Sequence, residues 1–259
     1  MAPAKHTPLT VRIDVAAAGS GRCERRKLSV HPGSLLHVTD SLLIAIDGPS
    51  GSGKSSTSRG VAQRLGLAYL DTGSLYRAAA IVFLESGLDA AQTELITELV
   101  TTAKIEPGTD PLHPSTTVNG RDVTEAIREP RVSEKVSVVA TILPVRQWLN
   151  ERFRSIIDAQ DRRIVVEGRD ITTVVAPDAD LRVLLVADPA ARIARRQAEL
   201  GGQVDASAVT DQVVRRDRDD ATVSQFEQPA EGVELVDSTH MGLDEVIETI
   251  CAMVPGRES

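Results

Sequence analysis

The chain has 259 residues, 41% of them hydrophobic and 25% charged, which fits one sizeable α/β domain with inserts or two small domains. Its formal net charge of −8 argues against broad nucleic-acid binding through a basic surface, and only 2% aromatic residues leave the core to Leu, Ile, Val and Ala. No apolar run approaches the ~18 residues of a membrane span, and Cys23 and Cys251 form neither a disulfide framework nor a metal-ligand pattern. A cytoplasmic protein, in contact with neither membrane nor nucleic acid, is expected.

Residues 1–40 carry six Lys/Arg against three acids, so that segment is +3 and the remainder −11. The segment is expected to be an N-terminal extension, either a disordered tail or sequence upstream of the true start. A transit peptide is the weaker reading, because no sustained amphipathic helix forms. The folded domain is expected over 41–254.

Leu42 to Ile46 is a short apolar run of strand length. It leads into Gly48-Pro49-Ser50-Gly51-Ser52-Gly53-Lys54-Ser55, which matches G-x-x-x-x-G-K-[ST], with Ser56 following. Val61, Ala62 and Leu65 then recur at helical spacing until Gly66. A glycine-rich loop between a buried strand and a helix brings backbone N–H groups and the positive helix end to an anion. Lys54 would reach the β- and γ-phosphates of a nucleoside triphosphate and Ser55 would bind Mg²⁺.

Ala68 to Asp71 is a short strand, and Leu75, Ala78, Ala79, Val82 and Phe83 make a helical face ending near Gly87. Turn signals crowd Lys104 to Gly120, and Asn119-Gly120 predicts a hairpin in a small antiparallel insertion. Ser133 can cap a helix beginning at Glu134, and Pro144 starts another with Val145, Trp148, Leu149, Phe153, Ile156 and Ile157 buried. Arg163 to Glu167 reads as a central strand, Leu181 to Ala187 as another, and Asp188-Pro189 as a cap and first helical residue. Val233 to Val236 is a last strand and Leu243 to Met253 a last helix. Alternating strands and helices predict a parallel sheet covered on both faces.

Ligands of open α/β sheets sit beyond the carboxyl ends of the strands. Asp71 to Arg77, Glu167 to Asp170 and the run after Asp188 all fall there and contain arginines, namely Arg77, Arg169, Arg192, Arg195 and Arg196. Guanidinium forks grip phosphate bidentately, so several around a phosphate loop suggest a second phosphorylated substrate.

These segments, with Asn119 to Val123 through Ile127-Arg128, Val132-Ser133 and Val136 to Ala140, resemble the bacterial cytidylate kinases over about 43–253. The resemblance implies a P-loop NTPase-type three-layer α/β sandwich with core 41–84, 155–190 and 232–254, a nucleotide-binding insert over 85–154 and a mobile lid over 191–231. It also implies ATP as donor, Mg²⁺ as cofactor, CMP and dCMP as acceptors, and roles for single residues. Thr72, Tyr76 and Arg77 would line the CMP site, Ser137 and Arg146 would read the cytosine edge with Asp170, and Arg169 would hold the CMP phosphate. Arg192, Arg195, Arg196 and Arg216 would neutralise the transferring phosphoryl group, and Asp220 would bind the ribose. Glu167 stands where many members have Asp, and a similar role near Mg²⁺, direct or through water, is expected. Val223 replaces the last arginine of the family's lid pattern, which puts one contact in question and leaves Arg218 as the substitute to consider.

A kinase for another nucleoside monophosphate such as UMP is the nearest alternative, and a non-catalytic nucleotide-binding module is the alternative of another class. A guanine-nucleotide switch would need Asn-Lys-x-Asp, which the sequence lacks. The acidic body suits a monomer.

Overall fold

The computed structural model describes residues 41–199 and 228–255, without the side chains of Arg196, Ala198 and Glu199. Five strands form one parallel sheet in the order β2-β6-β1-β7-β8: β1 (Leu42–Asp47), β2 (Ala68–Asp71), β6 (Arg163–Gly168), β7 (Leu181–Val186) and β8 (Glu234–Asp237). The apolar run 42–46 is the middle strand, paired to β6 on one side and β7 on the other.

Because successive side chains of a strand point to opposite faces, β1 feeds two cores. Leu43 and Ala45 join Leu70, Ile164 and Val166 beneath α2 (Thr72–Ser86) and α6 (Leu143–Ala159). Ile44 and Ile46 join Val165, Val183 and Leu185 beneath α1 (Lys54–Leu65) and α8 (Leu243–Ala252). The sheet is therefore buried on both sides, as its unbroken apolar strands require. The connections in this layered arrangement bring the ends of β1, β2 and β6 to one edge, where the phosphate loop begins.

Between α2 and α6, α3 (Thr93–Thr102) precedes a separate antiparallel sheet of β3 (Ile105–Pro107), β4 (Thr116–Val118) and β5 (Arg121–Asp122). Asn119 and Gly120 turn β4 into β5 with φ of 51° and 80°, the left-handed pair a tight hairpin needs. Ile105, Val118, Val123 and Ile127 bury themselves in the same core as α2. Ser133 does not cap a helix beginning at Glu134. Pro130, pre-set for a first turn, starts the short α4 (Pro130–Ser133) that Ser133 itself ends, and α5 (Val136–Ala140) begins after Lys135. Asp188 does cap α7 (Pro189–Glu199), its Oδ1 accepting from the Ala191 N–H at 2.6 Å.

Candidate active site

The loop from Gly48 to Gly53 passes so close to its surroundings that two glycines are obligatory. A Cβ on Gly48 would lie 2.1 Å from the Leu185 carbonyl oxygen. Gly51 has φ of +76°, and a Cβ there would lie 2.7 Å from the Arg192 carbonyl oxygen. The loop is thus pressed between the end of β7 and the backbone of α7. Arg192 and Arg195 strengthen that docking. Arg192 Nη1 donates to the Ser50 carbonyl at 3.1 Å and Arg195 Nη1 to the Ser52 carbonyl at 3.2 Å. Arg195 also donates to Ser238 Oγ at 2.9 Å and to the Ser238 carbonyl at 2.5 Å.

In front of the loop lies a cavity of about 140 Å³. Ser50, Gly51, Gly53, Lys54, Ser55 and Ser56 form its phosphate-loop side, whereas Gly48, Pro49 and Ser52 do not line it. Lys54 Nζ donates to the Pro49 carbonyl at 2.8 Å, so the ammonium lies folded over its own loop. Asp71 and Glu167 end neighbouring strands at paired positions of β2 and β6. Asp71 caps α2 by accepting from the Ser74 N–H at 3.0 Å, and sits 3.7 Å from Arg77.

Glu167 is buried, and burial followed by the Asp71 charge pushes its carboxyl up to about 7. Lys54 and hydrogen bonds from Tyr69 and Ser55 pull the other way. The Tyr69 hydroxyl donates to Glu167 Oε1 at 2.5 Å, and Thr72 Oγ1 donates to the Glu167 carbonyl at 2.7 Å. The Ser55 hydroxyl and the Glu167 carboxylate are thus adjacent oxygen donors beside the phosphate loop. Such a pair suits Mg²⁺, which is held by one or two protein oxygens and completes its shell with phosphates and water. Among the described residues no three His, Cys, Asp or Glu side chains form a protein-only cage.

The far wall of the cavity is cationic. Arg77, Arg146 and Arg169 line it together with Thr72, Tyr76 and Asp170. Arg146 pairs with Asp170, both largely buried, and its guanidinium lies 5.9 Å from the centre of the Tyr76 ring. Tyr76 is in turn held against Phe153, ring centres 6.0 Å apart. Ser137, expected at the base edge, is half-buried on α5, whereas Val136 and Ala140 of the same helix line the cavity. Arg192 and Arg195, expected at the transferring phosphoryl group, do not line it. The Arg196 side chain, Arg216, Asp220, Arg218 and Val223 lie outside the described residues.

Two residues of the site carry no motif. One is Tyr69. The other is Asp47, whose carboxylate accepts from the N–H groups of Ile171 and Thr172 at 2.9 and 2.8 Å and from Thr172 Oγ1 at 2.7 Å. Burial pushes Asp47 up and these bonds hold it back. It ties the start of the phosphate loop to the turn that carries Arg169 and Asp170. An acid closing a wholly apolar strand was the available signal for Asp47.

A phosphate loop facing an arginine-lined cavity, on a parallel sheet with helices on both faces, defines a P-loop kinase whose second substrate is itself an anion. The chain belongs to the cytidylate kinase family, whose model matches residues 44–255. A cytidylate kinase of Cutibacterium acnes is 58% identical over 219 residues, covering 84% of this chain and 97% of the relative. One of Streptomyces griseus is 45% identical over 219 residues, covering 84% and 94%. A bifunctional pantoate ligase/cytidylate kinase of Synechococcus is 39% identical over 257 residues, which cover 96% of this chain and 50% of that one.

Proposed function

We propose that this enzyme transfers the γ-phosphoryl group of ATP to CMP and dCMP, giving CDP and dCDP, by in-line displacement. The observation that carries the reading is the cavity itself, with the phosphate loop on one side and Arg77, Arg146 and Arg169 on the other. Membership of the family makes the chain a phosphotransferase and ATP its donor.

The attacking atom is a phosphate oxygen of the acceptor, mostly dianionic near neutral pH because its second pKa is ~6. No residue has to remove a proton from it, in contrast to kinases acting on a hydroxyl. The work of the protein is to hold two polyanions in line and offset their repulsion. Lys54 and the loop N–H groups take the donor phosphates. Arg77 and Arg169 take the acceptor phosphate, with Thr72 beside them. Tyr76 packs on the base, and Arg146 and Asp170, already paired, present a fixed donor and acceptor to the cytosine edge, with Ser137 as a further contact from α5. Arg192 and Arg195 hold the loop from behind. Arg196, Arg216 and Asp220 are assigned to the lid, over the phosphoryl group and the ribose. Ser55 and Glu167 would hold Mg²⁺, directly or through water, and the ion would neutralise phosphate charge.

We take 85–154 as the acceptor-binding insert and 191–231 as the lid. No helix of the described residues is long and apolar enough to cross a membrane, and a cytoplasmic monomer that binds no nucleic acid fits the acidic composition. The test is product analysis: the protein, ATP, Mg²⁺ and CMP should yield CDP and ADP in equal amounts. ADP with free phosphate and no CDP would overturn the reading.

A further inference from the structure

A second cavity, of about 370 Å³, adjoins the first. It lies between α1 and the antiparallel sheet, and its walls include Ser56 and Arg59 of α1, Asp71 and Arg77 at the start of α2, and Arg128 and Ser133 beyond β5. Three guanidinium groups line it, and Asp71 is the one carboxylate among the described residues that do so. Asp71 is engaged with Arg77 and the Ser74 N–H. Arg59 donates its Nε to the Pro111 carbonyl at 3.2 Å, which fixes the side chain across the cavity wall while its charge stays unneutralised. Arg128, at the end of the 3₁₀ turn Ala126–Arg128, forms no ion pair among the described residues. Arg59 and Arg128 thus turn two guanidiniums, neither in an ion pair among the described residues, toward one cavity. Hydroxyls of Ser56, Ser115, Ser133 and Thr124 complete a lining of hydrogen-bond donors.

We propose that this cavity is a second anion site, for a phosphate monoester of sugar or nucleoside size, separate from the acceptor cavity. Arginine forks and hydroxyls are the donors that recognise a phosphate monoester, and the volume falls within the range of small-molecule sites, with room beyond the phosphate for a sugar. The two cavities adjoin along Ser55, Ser56, Asp71 and Arg77, which line both, and Arg77 is the one guanidinium they share. An occupant that draws on its fork leaves less for the acceptor phosphate, so the two ligands antagonise each other, each weakening the other by the same factor. The coupling rests on the acceptor role given to Arg77, whereas the binding does not.

The probe is ribose 5-phosphate, titrated calorimetrically into protein whose phosphate loop is saturated with Mg²⁺ and a non-hydrolysable ATP analogue. Wild type should bind it, and Arg59→Gln with Arg128→Gln should weaken binding about tenfold or more while leaving the KM and kcat for CMP unchanged. Arg128→Gln alone, at an exposed side chain without a structural bond, should weaken it several-fold with an unaltered melting temperature. In the kinase assay ribose 5-phosphate should raise the KM for CMP in wild type and not in the double variant. Equal binding by wild type and both variants, or no binding by wild type, would overturn the proposal. Failure to phosphorylate CMP would overturn the functional reading and leave the binding result intact.

Discussion

Tyr69 and Glu167, on neighbouring strands, share a 2.5 Å hydrogen bond inside the core, with the phenol donating to the carboxylate. Tyr69 is 2% exposed and Glu167 equally so, and no solvent can replace the phenol if it is lost. Hydrogen bonds to charged groups contribute about 1.5–3 kcal/mol, and a buried carboxylate stripped of its donor bears most of that cost. Tyr69→Phe should therefore lower unfolding stability by about 2 kcal/mol in urea melts. It should also raise the Mg²⁺ concentration needed for half-maximal activity, since Glu167 loses the group that orients it. An unchanged Mg²⁺ requirement would confine Tyr69 to packing.

The same carboxylate gives a pH dependence whose sign is fixed. Its pKa rises from 4.5 in the unfolded chain to about 7 in the fold. The folded state thus holds a proton the unfolded state has lost, so this contribution to stability is complete below the unfolded pKa and disappears as pH rises through about 7. Across that window the nucleotide-free, Mg²⁺-free protein should lose about 3 kcal/mol relative to Glu167→Gln, at 1.36 kcal/mol per unit. Urea denaturation of both proteins at intervals between about pH 4.5 and about pH 8 measures it, and parallel curves would contradict the assignment.

Asp47 holds three donors of the turn after Arg169 and Asp170. Asp47→Ala leaves two backbone N–H groups and a hydroxyl buried without partners, for a stability loss of about 3 kcal/mol or more. Its functional signature should be a raised KM for CMP with ATP affinity much less affected, because the loosened turn carries Arg169 and Asp170, the acceptor contacts proposed above. Steady-state kinetics with each substrate varied in turn separates the two.

Gly51→Ala forces a side chain into left-handed backbone and against the Arg192 carbonyl. The loop must move away from α7, which spoils the cradle of N–H groups. Affinity for a fluorescent ATP analogue should fall at least about tenfold, with the melting temperature changing by only a few degrees.

Much of this was legible in the sequence because it depends on local pattern. The strand before the loop, the helix after it, the cap at Asp188 and the hairpin at Asn119-Gly120 are each written within a few neighbouring residues. Ser133 misled because a serine followed by an acid resembles a cap, while Glu129-Pro130 had already started a helix. The partners of Tyr69 and Asp47 were illegible for a different reason: they are 98 and 124 or more residues away and meet these side chains only through the tertiary fold. Arg192 and Arg195 read as phosphoryl contacts only through the family resemblance. Their places behind the loop follow from how α7 docks on it, which no spacing in the sequence records.

The most direct test of the account is a panel of acceptors at fixed Mg²⁺ and ATP, following ADP release with CMP, dCMP, UMP, AMP and GMP. The paired Arg146 and Asp170, which we propose read the base edge, predict kcat/KM for CMP and dCMP at least about tenfold above the other three, the discrimination that a buried, hydrogen-bonding site can supply. Turnover of UMP or AMP equal to or better than that of CMP would contradict it.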